Sequence, residues 1–537
     1  MQDRRLPAWM PTVAVAVALA LLVAWSFAER WSMLGESPFP VGVDGYFYPI
    51  QLRALLEDHA LAYPASPLTF WLMAPLAAAT DPVTGAKLGA ALFGALAAVP
   101  AYGVGARLGN SRGAGLIAAA LVTTSAGSAF LTFEFVKNGV GITLALTALW
   151  LVLRALEQRS GPRIAAAVLG VVAAFLAHKM AAGIVVAIAV PSVIADAAGR
   201  GVLRGRRLLY LLILLTVLVS IMLALGARYP ERFLSADQLA LVHRVWTWHA
   251  DLEAPALRRG DFVLTMGHEA LIGGVLGLLG AILLQGAVRT LLARSKEPTI
   301  IKLRDAGELL PLRSTAETAA AWVIVLLVIA ISLPWLRVSD PQGLGMRIRI
   351  VAFVPMALCA AIVARAVYLP IGYLVARAED ARWWPVIREG VLVLVALVIV
   401  LAMPRDRTEG RIQAHPAMVA AVQAVNGRIP AGDTVIVPER HIGFMVAWYA
   451  RVPARLRPES VPRDRRWRLM PLAFIGSGSP LDAAIDRART EPSIAPPIGL
   501  HARHRNGFVL VAEPTWEWIL DQLPPNVRAY YAKWPTI

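Results

Sequence analysis

AWMPTVAVAVALALLVAWSFA, Ala8 to Ala28, runs for about 21 residues without a charge. That is the length an α-helix needs to cross a hydrocarbon core of about 30 Å at 1.5 Å per residue. The preceding MQDRR has the charge pattern of a signal peptide. The apolar stretch is too long for one, however, and no convincing small-residue cleavage site follows. The reading is therefore a retained first helix with its N-terminus in the cytoplasm.

Runs of this kind recur along the chain, with a mean hydropathy of +0.60, 57% hydrophobic residues and 16% charged ones over 537 residues. A water-soluble surface cannot be built from that composition, so burial in a bilayer is the simplest account. The net charge of +16 lies in short clusters between apolar runs, where the positive-inside rule puts basic residues. It is read as topology and not as a nucleic-acid surface. The single cysteine, Cys359, excludes an intramolecular disulfide.

The hydropathy pattern gives about eleven crossings. After the first, a polar and aromatic segment over 29–67 must lie outside. Leu68 to Thr80 is apolar but too short to span, which suits an interfacial or re-entrant helix. Val83 to Leu108 crosses inward to the basic ARLGNSRG, Gly115 to Leu131 returns outward, and FEFVKN (Phe133 to Asn138) reads as a tight external turn. Gly139 to Leu156, Ile164 to Ala177 and Ala181 to Ala195 alternate so that RALEQRSGPR and GRGVLRGRR fall inside. Leu208 to Leu225 exits to a second long external loop, 228–262, and Val263 to Leu292 re-enters to the basic ARSKEPTIIKLR. Ala319 to Leu336, Val351 to Val367 and a short last span, Val391 to Met403, complete the set, with RWWPVIR expected in the cytoplasm before the last.

Residues 404–537 change character. TVIVP (Thr434 to Pro438) and FVLVAE (Phe508 to Glu513) read as strands, HPAMVAAVQAVNG as a helix, Asn426-Gly427 as its C-cap and AGD as a turn. The expected architecture is mainly α, a transmembrane bundle over 1–403 with a small extracytoplasmic α/β domain over 404–537. No internal repeat or low-complexity tract is visible.

Asp44 is the first candidate for chemistry. It sits in PVGVDGYFYPIQLRALLED, where Gly42 and Gly45 permit a tight backbone and Tyr46, Phe47 and Tyr48 suit a membrane interface. Two readings stand open from spacing alone: a general base beside apolar surface, or a solvated residue capping a helix that begins near Pro49.

Positive charge at external helix ends runs against the inside bias. Arg347 and Arg349 in GMRIR, with Lys137, His178 and Lys179, are on that ground candidates for binding phosphate, with snorkelling at the interface as the alternative. The 228–262 loop carries His243 and Trp246, and His268 follows it. A substrate lid and aromatic interface packing both fit, while the histidine spacing does not make a metal site. No Gly-rich phosphate loop, GxSxG or HExxH is present.

The order of these features resembles the GT-C superfamily of membrane glycosyltransferases. VDGYFYPIQLRALLEDHALAYPASPLTFWL is similar to the first-loop signature of protein mannosyltransferases, aminoarabinose transferases and oligosaccharyltransferase catalytic subunits, with a weaker likeness at GLGMRIRIVAFVP. The resemblance covers about Met1 to Ala195 and rests on co-linearity. It implies transfer of a hexosyl or pentosyl unit from a polyprenyl-phosphate-linked donor, with inversion, to a glycan, lipid or protein acceptor at the outer face of a cell membrane. Asp44 falls on the family's acidic first-loop position, base or metal ligand, and Glu134 on a second acidic position that some members carry. There is no Asp-x-Asp or Asp-x-Glu pair, so a divalent Mg or Mn ion, held by Asp44 and Glu134, is left open. A Glu134 that merely pairs with Lys137 is equally open. The competing classes are a transporter or lipid flippase and a non-catalytic scaffold. Transporters show related halves and ionisable or broken segments at mid-membrane, of which the sequence displays little.

Overall fold

A computed structural model describes residues 10–42, 44–203, 205–230, 256–259, 262–293, 314–332, 344–377, 384–402, 406–408, 416–423, 426–456, 458–471, 478–499 and 508–532, with Phe233, Ser235 and Ile475 singly. Among the described residues sixteen helices run through the first three quarters of the chain: α1 Met10–Gly35, α2 Phe47–Glu57, α3 Leu68–Ala79, α4 Pro82–Leu96, α5 Ala98–Leu108, α6 Arg112–Thr124, α7 Ala126–Phe133, α8 Val136–Glu157, α9 Gly161–Ala177, α10 Lys179–Gly199, α11 Arg206–Arg228, α12 Met266–Ala293, α13 Thr315–Ser332, α14 Leu344–Ile350, α15 Phe353–Arg377 and α16 Trp384–Ala402.

Among the described residues eight helices are long and apolar enough to cross a membrane, or nine if the bent pair α6 and α7 is one span, and three shorter apolar helices accompany them. Large side chains on their outer faces stay uncovered, with Leu21 66%, Leu169 69% and Leu271 68% exposed. In water that surface would drive aggregation, whereas against lipid tails it costs nothing. The chain is an integral membrane protein, mainly α, with a small α/β part near its C-terminus.

The boundaries differ from the sequence reading in several places: α1 runs on to Gly35 and α15 to Arg377. α16 starts at Trp384 and takes in WPVIR, because Arg388 is buried within the helix instead of lying in a loop. The expected single crossing from Gly115 to Leu131 is two helices bent by 46° at Ser125. FEFVKN is not a six-residue turn: only Glu134 and Phe135 separate α7 from α8. Val136, Lys137 and Asn138 form the next helix's first turn, where Asn138 and Gly139 donate to the Phe135 carbonyl at 2.8 and 3.2 Å. Those bonds satisfy amides that a longer loop would leave bare at the interface. The basic cluster ARSKEPTIIKLR after its first residue and the whole of RVSDPQG lie outside the described residues, as do His243 and Trp246.

Helix ends expected on one side do meet each other. Arg107, ending α5, pairs with Glu157 at the end of α8 (2.9 Å) and with Glu317 in the first turn of α13 (3.1 Å). Asp196 on α10 takes Arg159 and Arg200, each at 2.6 Å.

The chain divides into two compact units. One comprises Met1–Gly35, Pro64–Leu72 and Leu88–Gly410, and includes a three-stranded antiparallel sheet of β1 Ala256–Arg259, β2 Phe262–Thr265 and β3 Asp406–Thr408, in the order β2-β1-β3. The other comprises Glu36–Tyr63, Met73–Lys87 and Arg411–Ile537, so most of the 29–67 segment groups with the tail. Its five-stranded sheet has the order β5-β4-β6-β8-β7, with β4 Thr434–Ile436, β5 Ala454–Arg455, β6 Arg466–Pro471, β7 Ile498–Gly499 and β8 Phe508–Ala512. β4 runs parallel to β5 and β6, and β8 antiparallel to β6 and β7. The short helix α17 (Pro416–Gln423) precedes the sheet. Helix α18 (Arg440–Tyr449) makes the β4-to-β5 crossover, as a parallel pair requires.

On the sheet, α19 (Pro480–Thr490) and α20 (Glu513–Asp521) bury Leu481, Ile485, Trp516 and Ile519 against Met470, Val509 and Val511, and α21 (Pro525–Tyr531) follows. Arg468 and Glu513 close this core as a bidentate buried pair at 2.7 Å for both contacts. Both strands read in the sequence are present, Gly432 takes the positive φ (92°) that the AGD turn needs, and Gly427 also has a positive φ (74°), although the described helix ends earlier, at Gln423.

Candidate functional site

The first loop is built around a turn. Gly42 has φ 94°, and the Gly45 amide donates to the Gly42 carbonyl at 3.0 Å. A Cβ on Gly45 would stand 2.6 Å from the Val41 carbonyl oxygen, so only glycine lets the chain fold back here. Helix α2 then starts at Phe47, two residues earlier than the Pro49 expectation. Pro49 falls in the first turn, where its missing N–H has no partner to lose. Asp44 does not cap this helix through its side chain: the cap residue is Tyr46, which makes no capping bond, and only the Asp44 main-chain carbonyl accepts from Phe47 N, at 3.0 Å.

The Asp44 carboxylate turns instead to α18, where Arg440 Nε lies 3.5 Å from its Oδ1. Asp44 is 15% exposed and Arg440 57%. The same helix grips the rest of the loop. Tyr46, buried, shares a 3.1 Å hydroxyl contact with Tyr449 and meets its ring edge-on at 5.6 Å. Burial, and then the bond to Tyr449, push the Tyr46 phenol up. Phe47 packs between Phe444 (5.4 Å) and Tyr63 (6.1 Å). Arg53 donates to the carbonyls of Trp448 (3.0 Å) and Ala447 (3.3 Å) while lying 4.4 Å over the Trp448 ring. Gln51 exchanges two bonds with the Tyr63 main chain, at 2.8 and 2.9 Å.

In the membrane-spanning unit, His178 and three cations drawn from three chain segments come together. His178 joins α9 to α10, and its Nδ1 accepts from Met180 N at 3.2 Å. Burial pushes its imidazole down to about 3, and the charges of Lys137, Arg347 and Lys179 push the same way. Those couplings put α8, α10 and α14 at one place. Arg347 stands 5.9 Å over the Phe135 ring, next to Glu134 in the turn. Glu134 is buried at the C-cap of α7. Arg349 is also buried, which lowers its pKa. Lys179 Nζ donates to the Pro230 carbonyl at 3.1 Å. His268 departs from the group of candidates in one respect. It is exposed, and its ring takes up the Thr265 amide at 3.2 Å, as a local cap at the start of α12.

Besides Arg440, two buried charged residues escaped the sequence reading. Arg30 on α1 and Glu269 on α12 are 4% and 5% exposed, and both bind the break between α6 and α7. As for a divalent ion, the described residues hold no group of three His, Cys, Asp or Glu side chains to bind one. The ion-pair partner of Asp44 is itself a cation. This donor set does not fit a metal centre.

No family model matches the sequence, and neither does any curated protein. Three solved structures align with the chain at low identity. A crystal structure of the Archaeoglobus fulgidus oligosaccharyltransferase in complex with Zn and sulfate aligns with TM-score 0.47 at 14% identity, over 82% of this chain and 62% of that one. The chain thus spans less than two thirds of the oligosaccharyltransferase. ArnT from Cupriavidus metallidurans bound to undecaprenyl phosphate aligns with TM-score 0.46 at 14% identity, over 94% and 98% of the two chains. Its apo state gives 0.43 at 12%, over 95% and 100%. These are remote likenesses of fold.

Proposed function

We propose that the chain is a membrane glycosyltransferase that moves a sugar from a polyprenyl-phosphate-linked donor to an acceptor at the extracytoplasmic face of the inner membrane, with inversion. The observation that carries this reading is the convergence of Lys137, the adjacent His178 and Lys179, and Arg347 from three stretches of chain. Snorkelling explains one cation at a helix end, but it gives no reason for three cations to gather about one histidine that burial, and then their charges, hold neutral. A dianionic lipid phosphate at this place meets several cations at once, Arg347 with its planar fork.

In this reading Asp44 takes the proton from the acceptor hydroxyl as its oxygen attacks the anomeric carbon. The bond from that carbon to the donor phosphate oxygen breaks, and the cation group holds the departing polyprenyl phosphate. Glu134 orients Lys137 and Arg347 from the turn between α7 and α8. No step runs through a metal.

One observation favours the flippase alternative. The bent α6–α7 pair, with Arg30 and Glu269 buried beside it, is the broken and charged kind of segment that transporters carry. The two readings separate in proteoliposomes given a panel of radiolabelled polyprenyl-phosphate sugars. A transferase releases label from one donor into an acceptor fraction. A flippase moves labelled lipid between leaflets with the sugar still attached, and that result would replace the proposal.

A further inference from the structure

The break at Ser125 leaves two sets of main-chain groups without helical partners: the last carbonyls of α6, which carry partial negative charge, and the first amides of α7, which carry partial positive charge. Each set meets a buried side chain of the opposite sign. Arg30 Nη2 donates to the Thr123 carbonyl at 3.1 Å and to Ser128 Oγ at 2.8 Å, while its Nη1 is tied to Ser26 on its own helix. Glu269 accepts from Gly127 N through Oε2 at 3.1 Å and from Ala126 N through Oε1. The Ser125 hydroxyl completes the knuckle by accepting from Ser128 N at 3.0 Å.

What lies beyond the knuckle gives it consequence. A Cβ on Gly127 would stand 2.3 Å from the Ile350 carbonyl, so α7 lies directly on α14, the helix that bears Arg347 and Arg349. Ser128 and Thr132 of α7 also line a small cavity with Gly94, Val136, Gly139 and Phe353. At its far end α7 delivers Glu134 and Phe135, over which Arg347 is placed.

We infer that Arg30 and Glu269 are positioning residues: together they clamp the two halves of the broken helix, fix its bend, and so set where Glu134, Phe135 and Lys137 stand relative to Arg347. The clamp itself stands on the geometry of the break; its effect on phosphate binding rests on the function proposed above.

Hydrogen exchange on the full chain in lipid nanodiscs tests it, comparing wild type with Glu269→Gln and with Ser128→Ala. The second variant is milder and keeps the comparison usable should the first fail to fold. The clamp predicts exchange faster by about tenfold or more at residues 126–130 and also faster exchange at 344–350, with the thermal midpoint little changed. Unchanged exchange at 126–130, or a change there that never reaches 344–350, would overturn it. Undecaprenyl phosphate binding, titrated on the same samples, should weaken by about tenfold in the variants. Wild-type affinity in a variant whose two segments have loosened would overturn the positioning role. Should wild type bind no undecaprenyl phosphate, the phosphate reading falls, and the exchange data still decide the clamp.

Discussion

Arg440 Nε stands 3.5 Å from Asp44 Oδ1, so the residue proposed as base is held by a cation from a helix almost 400 positions later in the chain. More than half of the arginine side chain is open to solvent. An exposed pair of this kind contributes less than about 1 kcal/mol to stability. Arg440→Ala is therefore expected to leave the thermal midpoint within a few degrees of wild type. Sugar transfer should fall by up to about 100-fold as the carboxylate loses its fixed orientation. Steady-state kinetics beside a melting curve checks both halves.

The tyrosine pair makes a separable claim. Tyr46→Phe removes one partner of the 3.1 Å hydroxyl contact with Tyr449 and should cost about 0.5 to 1.5 kcal/mol. The double variant Tyr46→Phe with Tyr449→Phe should cost less than the sum of the single changes. Additive costs in a double-mutant cycle would show that the hydroxyls do not interact.

His178 gives a pH dependence with a definite sign. Its folded imidazole is held down to about 3, by burial and then by Lys137, Arg347 and Lys179, against 6.5 when free. Between those values the unfolded chain binds the extra proton and the folded chain does not. Stability therefore falls as pH drops from about 6.5 towards 3 and is level above that window. His178→Gln should flatten the curve over this range. An unaltered slope in melts at stepped pH would contradict the assignment.

Gly127→Ala drives a methyl into the Ile350 carbonyl, a contact between two backbones that cannot be relieved by a rotamer change. A loss of about 1 to 3 kcal/mol is expected, together with weaker phosphate-lipid binding. A variant as stable as wild type would show that α7 and α14 can move apart freely.

The membrane-spanning character was legible because it depends only on run length and charge, and those are properties of contiguous sequence. The same holds for the Gly42 and Gly45 turn and for the strands at Thr434 and Phe508. The cation group was half legible. Inside bias marked Lys137, His178, Lys179 and Arg347 as out of place, but only folding brings α8, α10 and α14 to one spot. Arg30 and Glu269 could not be read at all. Each sits near the end of an apolar run, where a lone charge looks like a boundary marker, and its partner is a main-chain break formed about 90 and 140 positions away. The bend itself was hidden because Thr124, Ser125 and Ala126 carry neither proline nor a glycine pair. Arg440 was missed for a like reason, since an exposed arginine in a basic tail has no distinguishing neighbours in sequence.

The claim on which the rest depends is that the Asp44 carboxylate removes the acceptor's proton. The direct measurement is single-turnover transfer from a radiolabelled polyprenyl-phosphate donor that wild type accepts, with wild type and Asp44→Asn compared at matched donor occupancy. Loss of about 100-fold or more in the transfer rate, with donor affinity retained, is the predicted result. Equal rates for the two proteins would contradict it.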